Sequence, residues 1–243
     1  MAAGWDRAHV SRGITQGGKI EQETYIDSYD PSVLRRVQYL LYEVKWSNSR
    51  KLTQRCCHST RTEHAEIYFL EDVFHRQRYD PSDHCSLTWY MSWSPCGECC
   101  KAIRDFLKEQ PNVNLVIYVA RIYCHEEENN RQGLRSLVNI GVTIRIMDLP
   151  VYSYCWRTFV CDEDKDEDYW PRHFAPWIML YSLELQSILQ VSRTSGRGHL
   201  HEEMIQSHMQ NWSQIKIYWG LGHKDDVGPT FASGSQSPAP PLP

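Results

Sequence analysis

The sequence has no long apolar run. No stretch approaches the ~20 residues that a membrane-spanning helix requires, and residues 1–18 lack the apolar core of a signal peptide. The expected setting is therefore intracellular, in the cytoplasm or nucleus, with no membrane partner. Nor can the cysteines all pair with one another. Nine of them in such a chain read as reduced thiols and metal ligands, not as a disulfide framework. Positive charge is not in excess either: the net charge is −4, whereas nucleic-acid binders are usually basic. The distribution qualifies that figure. Residues 162–168 carry six acids and one lysine, so the rest of the chain is slightly basic. Such a run reads first as a solvated loop, and second as an anionic surface that orients nucleic acid. No internal repeat is visible, the methionines form no stripe, and His173, His199, His201 and His208 suggest no second metal site.

What is present is ordinary globular material around one unusual motif. At 243 residues, 41% hydrophobic and 23% charged, the chain can bury one well-packed domain with a small appendage. Apolar patterning predicts strands at 39–46, 51–58, 86–92, 113–120 and 142–147. Helices are predicted from His64, over 101–108, 131–138, 152–160 and 177–191, with a short one at 32–38. The near-continuous apolar run 113–120 reads as a strand buried on both faces. Strands alternating with helices mean a layered α/β domain of about five strands with helices on both faces. The expected organisation is a loosely ordered leader at 1–28, a domain at 29–190, and a small extension at 191–225. A disordered tail follows at 226–243, rich in Ser, Ala, Gly and Pro.

The motif is His64-Ala65-Glu66 followed by Ser92-Trp93-Ser94-Pro95-Cys96-Gly97-Glu98-Cys99. His64, Cys96 and Cys99 are three metal ligands, and three protein ligands on Zn2+ leave a fourth position open, as catalytic sites require. Glu66 is not needed as a ligand and can move the proton of an activated water to a leaving group. H-x-E…P-C-x-x-C is the known signature of zinc nucleobase deaminases. Pro95 suits a first helical turn, so both thiolates fall at a helix N-terminus. His64 and Glu66 open a second apolar-periodic run, Ile67, Leu70, Val73 and Phe74. Cys100 competes with Cys99, but the usual two-residue gap favours Cys99. Cys56, Cys57 and His58 read as strand and loop residues.

With the flanking residues Leu41-Tyr42-Glu43-Val44-Lys45-Trp46, Leu115 to Arg121, Arg131-Gln132-Gly133-Leu134-Arg135, Tyr154-Cys155-Trp156-Arg157 and Trp177 to Glu184, the chain resembles the polynucleotide cytidine deaminases of the AID/APOBEC family from about Asp30 to Leu189. The resemblance implies a cytidine-deaminase-like three-layer fold, a five-stranded mixed sheet flanked by about six helices. It implies one Zn2+ per chain and C-to-U deamination in single-stranded DNA or RNA. It assigns Trp93 to the wall of the base pocket, Tyr123 to the loop that reads the base 5′ of the target, and Arg35 and Arg36 to the strand path. An RNA-binding complementation factor and a homodimer are the protein partners it implies. Two other readings stay open: a catalytically silent zinc-containing nucleic-acid-binding module, and a free-nucleoside cytidine deaminase.

Overall fold

A computed structural model describes residues 18–35, 37–75, 83–161, 169 and 171–190. The acidic run 162–168, Arg36, and the expected extension and tail beyond 190 lie outside the described residues. The helices are α1 (Gln22–Tyr29), α2 (Ala65–Tyr68), α3 (Gly97–Glu109), α4 (Glu128–Asn139), α5 (Leu149–Phe159) and α6 (Ala175–Gln190). The strands are β1 (Tyr39–Trp46), β2 (Leu52–His58), β3 (Cys85–Met91), β4 (Val113–Val119) and β5 (Thr143–Ile146). They form one sheet in the order β2-β1-β3-β4-β5. β1 runs antiparallel to both β2 and β3, while β3, β4 and β5 are parallel. The sheet is thus mixed, as expected.

Side chains alternate across the sheet and build a core on each face. Leu40, Tyr42, Val44, Leu87, Trp89, Met91, Leu115 and Ile117 point to one face and pack against α2, α3, α4 and α6 through Ala65, Ile103, Leu134 and Leu185. Leu41 and Tyr90 point to the other face, where Tyr25 and Tyr29 of α1 meet Tyr152, Trp156 and Phe159 of α5. Two helical layers around one sheet make the expected three-layer α/β architecture. β4 departs from expectation. Leu115, Ile117 and Val119 are fully buried, but Val116 and Tyr118 are only partly so, with Tyr118 stacked on Tyr90 at 5.5 Å.

Three other segments differ from the sequence reading. The expected leader already contains α1, whose Tyr25 and Tyr29 are fully buried. The Tyr25 hydroxyl donates to the Tyr152 carbonyl at 3.0 Å and the Tyr29 hydroxyl to the Tyr90 carbonyl at 2.9 Å. No helix forms among the described residues of 32–38, because distant donors claim the backbone carbonyls there. Finally, the run after His64 makes one α-helical turn and then a π-helix, Phe69–Phe74. Phe69 and Phe74 lie five apart and both reach the core, Phe69 against Trp89 at 5.0 Å and Phe74 against Phe106 at 4.8 Å. A helix with i→i+5 bonds brings such residues to one side.

Candidate active site

The parallel strands β3 and β4 end side by side, and the residues that follow them form the floor of the site. After β3 the chain passes through Ser92, Trp93, Ser94 and Pro95 to Cys96, which caps α3 in extended conformation. Pro95 therefore sits one residue before the cap, not in the first turn. Cys99 lies within that turn and is almost fully buried. From the neighbouring helix, His64 caps α2 and Glu66 follows in its first turn. The two halves of the motif meet where two helix N-termini converge.

The His64 Nδ1 atom lies 3.1 Å from the Cys99 sulfur and 3.6 Å from the Cys96 sulfur. All three ligand atoms fall within 4.8 Å of one another, and no other cluster of three such groups occurs among the described residues. A tetrahedral zinc holds nitrogen and sulfur donors roughly 3.6 Å apart, given its bond lengths. The donor set fits that ion in type, number and spacing. Cys100 does not compete: it is fully buried and its thiol donates to the Pro95 carbonyl at 3.7 Å.

A hydrogen bond from the Cys99 thiol holds Cys96 below its ordinary value, at about 5, against the opposing effect of burial; the first-turn amides and His64 assist. The same bond, together with burial, pushes the Cys99 thiol up. Glu66 is fully buried, and neither carboxylate oxygen has a hydrogen-bond partner of ordinary geometry. Burial pushes its carboxyl up, with smaller opposing pulls from its own backbone amide, the Gln38 amide and His64. A buried carboxyl without partners costs stability. The carboxyl lies beside the His64-Cys96-Cys99 group, which could hold a metal ion. An open depression of about 540 Å³, lined by Thr62, Glu63, His64, Ile67, Glu98 and Cys99, borders the cluster.

Trp93 and Tyr123 stand together, edge to face, with ring centroids 6.3 Å apart. Tyr123 is 42% exposed and Trp93 half-buried. The Trp93 indole N–H donates to the Arg35 carbonyl at 2.9 Å. Arg35 thus joins the site through its backbone, while its guanidinium is exposed and paired with Asp27 at 2.6 Å. Two residues missed in the sequence hold this wall in place. Arg121, fully buried, stacks its guanidinium 4.4 Å from the Trp93 ring centre. It also donates to the carbonyls of Ser92, Asp30, Val33 and Ser28. Ser94, also buried, accepts from the Tyr123 amide at 2.9 Å and donates its own amide to the Arg121 carbonyl at 2.8 Å. The arginine directly after an apolar strand was the only visible signal of this bracket.

The family model described as APOBEC4-like AID/APOBEC deaminase matches residues 28–162. The chain belongs to the AID/APOBEC deaminase family. Among curated proteins, the C->U-editing enzyme APOBEC-1 of Homo sapiens is 45% identical over 197 residues, covering 79% of this chain and 83% of that protein. The same enzyme of Mus musculus is 44% identical over 171 residues, covering 70% and 74%. The DNA dC->dU-editing enzyme APOBEC-3H of Felis catus is 33% identical over 137 residues, 56% of this chain and 70% of that protein. The family is zinc-dependent, and as an AID/APOBEC deaminase this chain places its His-Cys-Cys group where two helix starts meet. Among the described residues no helix is long and apolar enough to cross a membrane.

Proposed function

We propose that this chain hydrolytically deaminates cytidine to uridine in single-stranded DNA or RNA, with one Zn2+ held by His64, Cys96 and Cys99. The observation that carries the reading is the buried, unpartnered Glu66 carboxyl beside that donor set. A structural metal site would need a fourth protein ligand and would have no use for this carboxyl. Zinc, when bound, supplies Lewis-acid activation of water near neutral pH.

The protein's own groups do the rest. Glu66 takes the proton of the attacking water, passes one to N3 of the ring as C4 becomes tetrahedral, and delivers one to the departing amine. Water is consumed, ammonia leaves, and no redox partner is required. Burial raises the Glu66 carboxyl above its ordinary value, which makes the carboxylate a better acceptor for the proton of that water. Trp93 walls the unstacked base, Tyr123 reads the base on its 5′ side, and the exposed guanidinium of Arg35 exchanges Asp27 for phosphate. Arg36 belongs to the same strand path in this reading. Base stacking contributes ~1–3 kcal/mol per base.

The relatives named for C->U editing and for DNA dC->dU editing support the polynucleotide class and leave both nucleic acids as substrates. The reading includes a domain over 29–190, action in the cytoplasm and nucleus, an RNA-binding complementation factor for transcript editing, and a homodimer. Light scattering of the purified chain tests the dimer; extracts with and without RNA-binding proteins test the factor. The main test presents free cytidine and matched single-stranded DNA and RNA oligonucleotides, each with one cytosine, and measures uracil. Conversion of an oligonucleotide is expected. Conversion of free cytidine alone would make this a nucleoside deaminase, and no conversion by zinc-loaded protein would make it a silent binding module.

A further inference from the structure

The start of α4 touches both halves of the site through one buried side chain. Asn130 is 4% exposed. Its Oδ1 accepts the Gly97 amide at 2.8 Å, and its Nδ2 donates to the Cys124 carbonyl at 3.3 Å, with Glu127 Oε2 at 3.5 Å. Gly97 opens α3, so its N–H is one of the donors that the helix itself leaves unused. It lies between the two cysteines of the metal cluster. Cys124 directly follows Tyr123 and has φ +37°, the one non-glycine residue in the left-handed region among those described. Such a conformation persists only where surrounding contacts over-determine it. Two bonds do so here, from the Glu127 amide at 3.0 Å and from Asn130, both to the Cys124 carbonyl.

The approach is too close for adjustment. A Cβ on Gly97 would lie 2.5 Å from the Asn129 side chain and 2.9 Å from its carbonyl oxygen. The loop is held at its next residue as well, since Arg131 donates to the His125 carbonyl at 3.1 Å. Asn130 alone among these groups bonds to both the cysteine turn and the loop that carries Tyr123.

We infer that Asn130 is a positioning residue that locks the base-reading loop at Tyr123-Cys124 to the cysteine turn at Gly97, so that 5′-neighbour preference and metal retention share one side chain. The inference rests on the deaminase reading for its preference arm only. Asn130→Asp keeps the acceptor for Gly97 and loses the donor to Cys124; Asn130→Ala loses both.

Three quantities are measured on the zinc-loaded full chain: zinc release to a chelator, hydrogen exchange across 122–127, and kcat/KM on four oligonucleotides differing only in the base 5′ of cytosine. Both variants should speed loop exchange and flatten the preference ratio by ~3–10-fold, the size that one lost hydrogen bond allows. Only Asn130→Ala should also release zinc faster. Unchanged preference and loop exchange in both variants, with nothing but a lower Tm, overturns the proposal. Faster zinc release in neither variant, or equally in both, overturns the lock between the two halves. A wild-type chain that converts no oligonucleotide would fail the deaminase reading instead, leaving the zinc and exchange arms to decide this one.

Discussion

Arg121 shows how a single side chain can shape a site without touching the reacting atoms. It is a cation with no exposure, satisfied by four backbone carbonyls and the face of Trp93. The planar guanidinium is what allows so many acceptors to converge; an ammonium offers three donors in a different geometry. Arg121→Lys should therefore destabilise the fold by at least about 3 kcal/mol, since buried carbonyls lose their donors. It should also loosen Trp93, and denaturant unfolding together with indole fluorescence would register both. The candidate metal group and Glu66 were legible in the sequence because the proposed zinc chemistry requires those residue types at that spacing. Arg121 was invisible there because its acceptors lie up to 93 residues away, and no local pattern encodes such a bond.

At the scale of elements, long-range donors override local propensity. Val33, Leu34 and Val37 have the spacing of a short helix, yet Arg121 and Trp93 claim the carbonyls of Ser28, Asp30, Val33 and Arg35 and hold the segment open. Leu34 is left 72% exposed. α1 escaped for the opposite reason: Gln-Glu-Thr-Tyr-Ile-Asp-Ser-Tyr is polar, and only the burial of two tyrosines against α5 reveals its role. The strands and long helices were legible because their apolar periods match what the sheet buries. The contact between α3 and α4 depends on two glycines. A Cβ on Gly133 would meet the Cys100 side chain at 3.0 Å and the Gly97 Cα at 3.1 Å. Gly133→Ala gains ~1 kcal/mol of helix propensity but overpacks a rigid contact at a cost of ~1–3 kcal/mol. A net fall in Tm is expected. α4 is also tied to α6 by Arg131 and Glu184 at 3.1 Å, with His125 at 3.5 Å. Burial alone would raise the Glu184 carboxyl, but His125 and then Arg131 more than offset this and hold it below its ordinary value. A lowered folded pKa stabilises above the unfolded value of ~4.3 and loses that contribution as pH falls through the folded one. Glu184→Gln should thus cost ~1–3 kcal/mol at neutral pH. Its difference from wild type should shrink as urea titrations move below about pH 4.

Across the described residues, the sheet brings the ends of β3 and β4 together, so that the start of α3 and the loop at Tyr123 follow from neighbouring strands. Glu66 lies buried there without a hydrogen-bond partner, close to the cysteine pair. Metal removal should accordingly destabilise the native state, since an ion that binds only folded protein adds RT ln(1 + [L]/Kd), ~4 kcal/mol at a thousandfold excess over Kd. Chelation should lower the Tm, and zinc should restore it. The most direct test of the central claim compares wild type with Glu66→Gln at equal, measured zinc content on a single-cytosine oligonucleotide. A loss of kcat of at least about 10²–10⁴-fold, with zinc stoichiometry and Tm retained, is the predicted result. Turnover in Glu66→Gln within a few-fold of wild type would contradict the account.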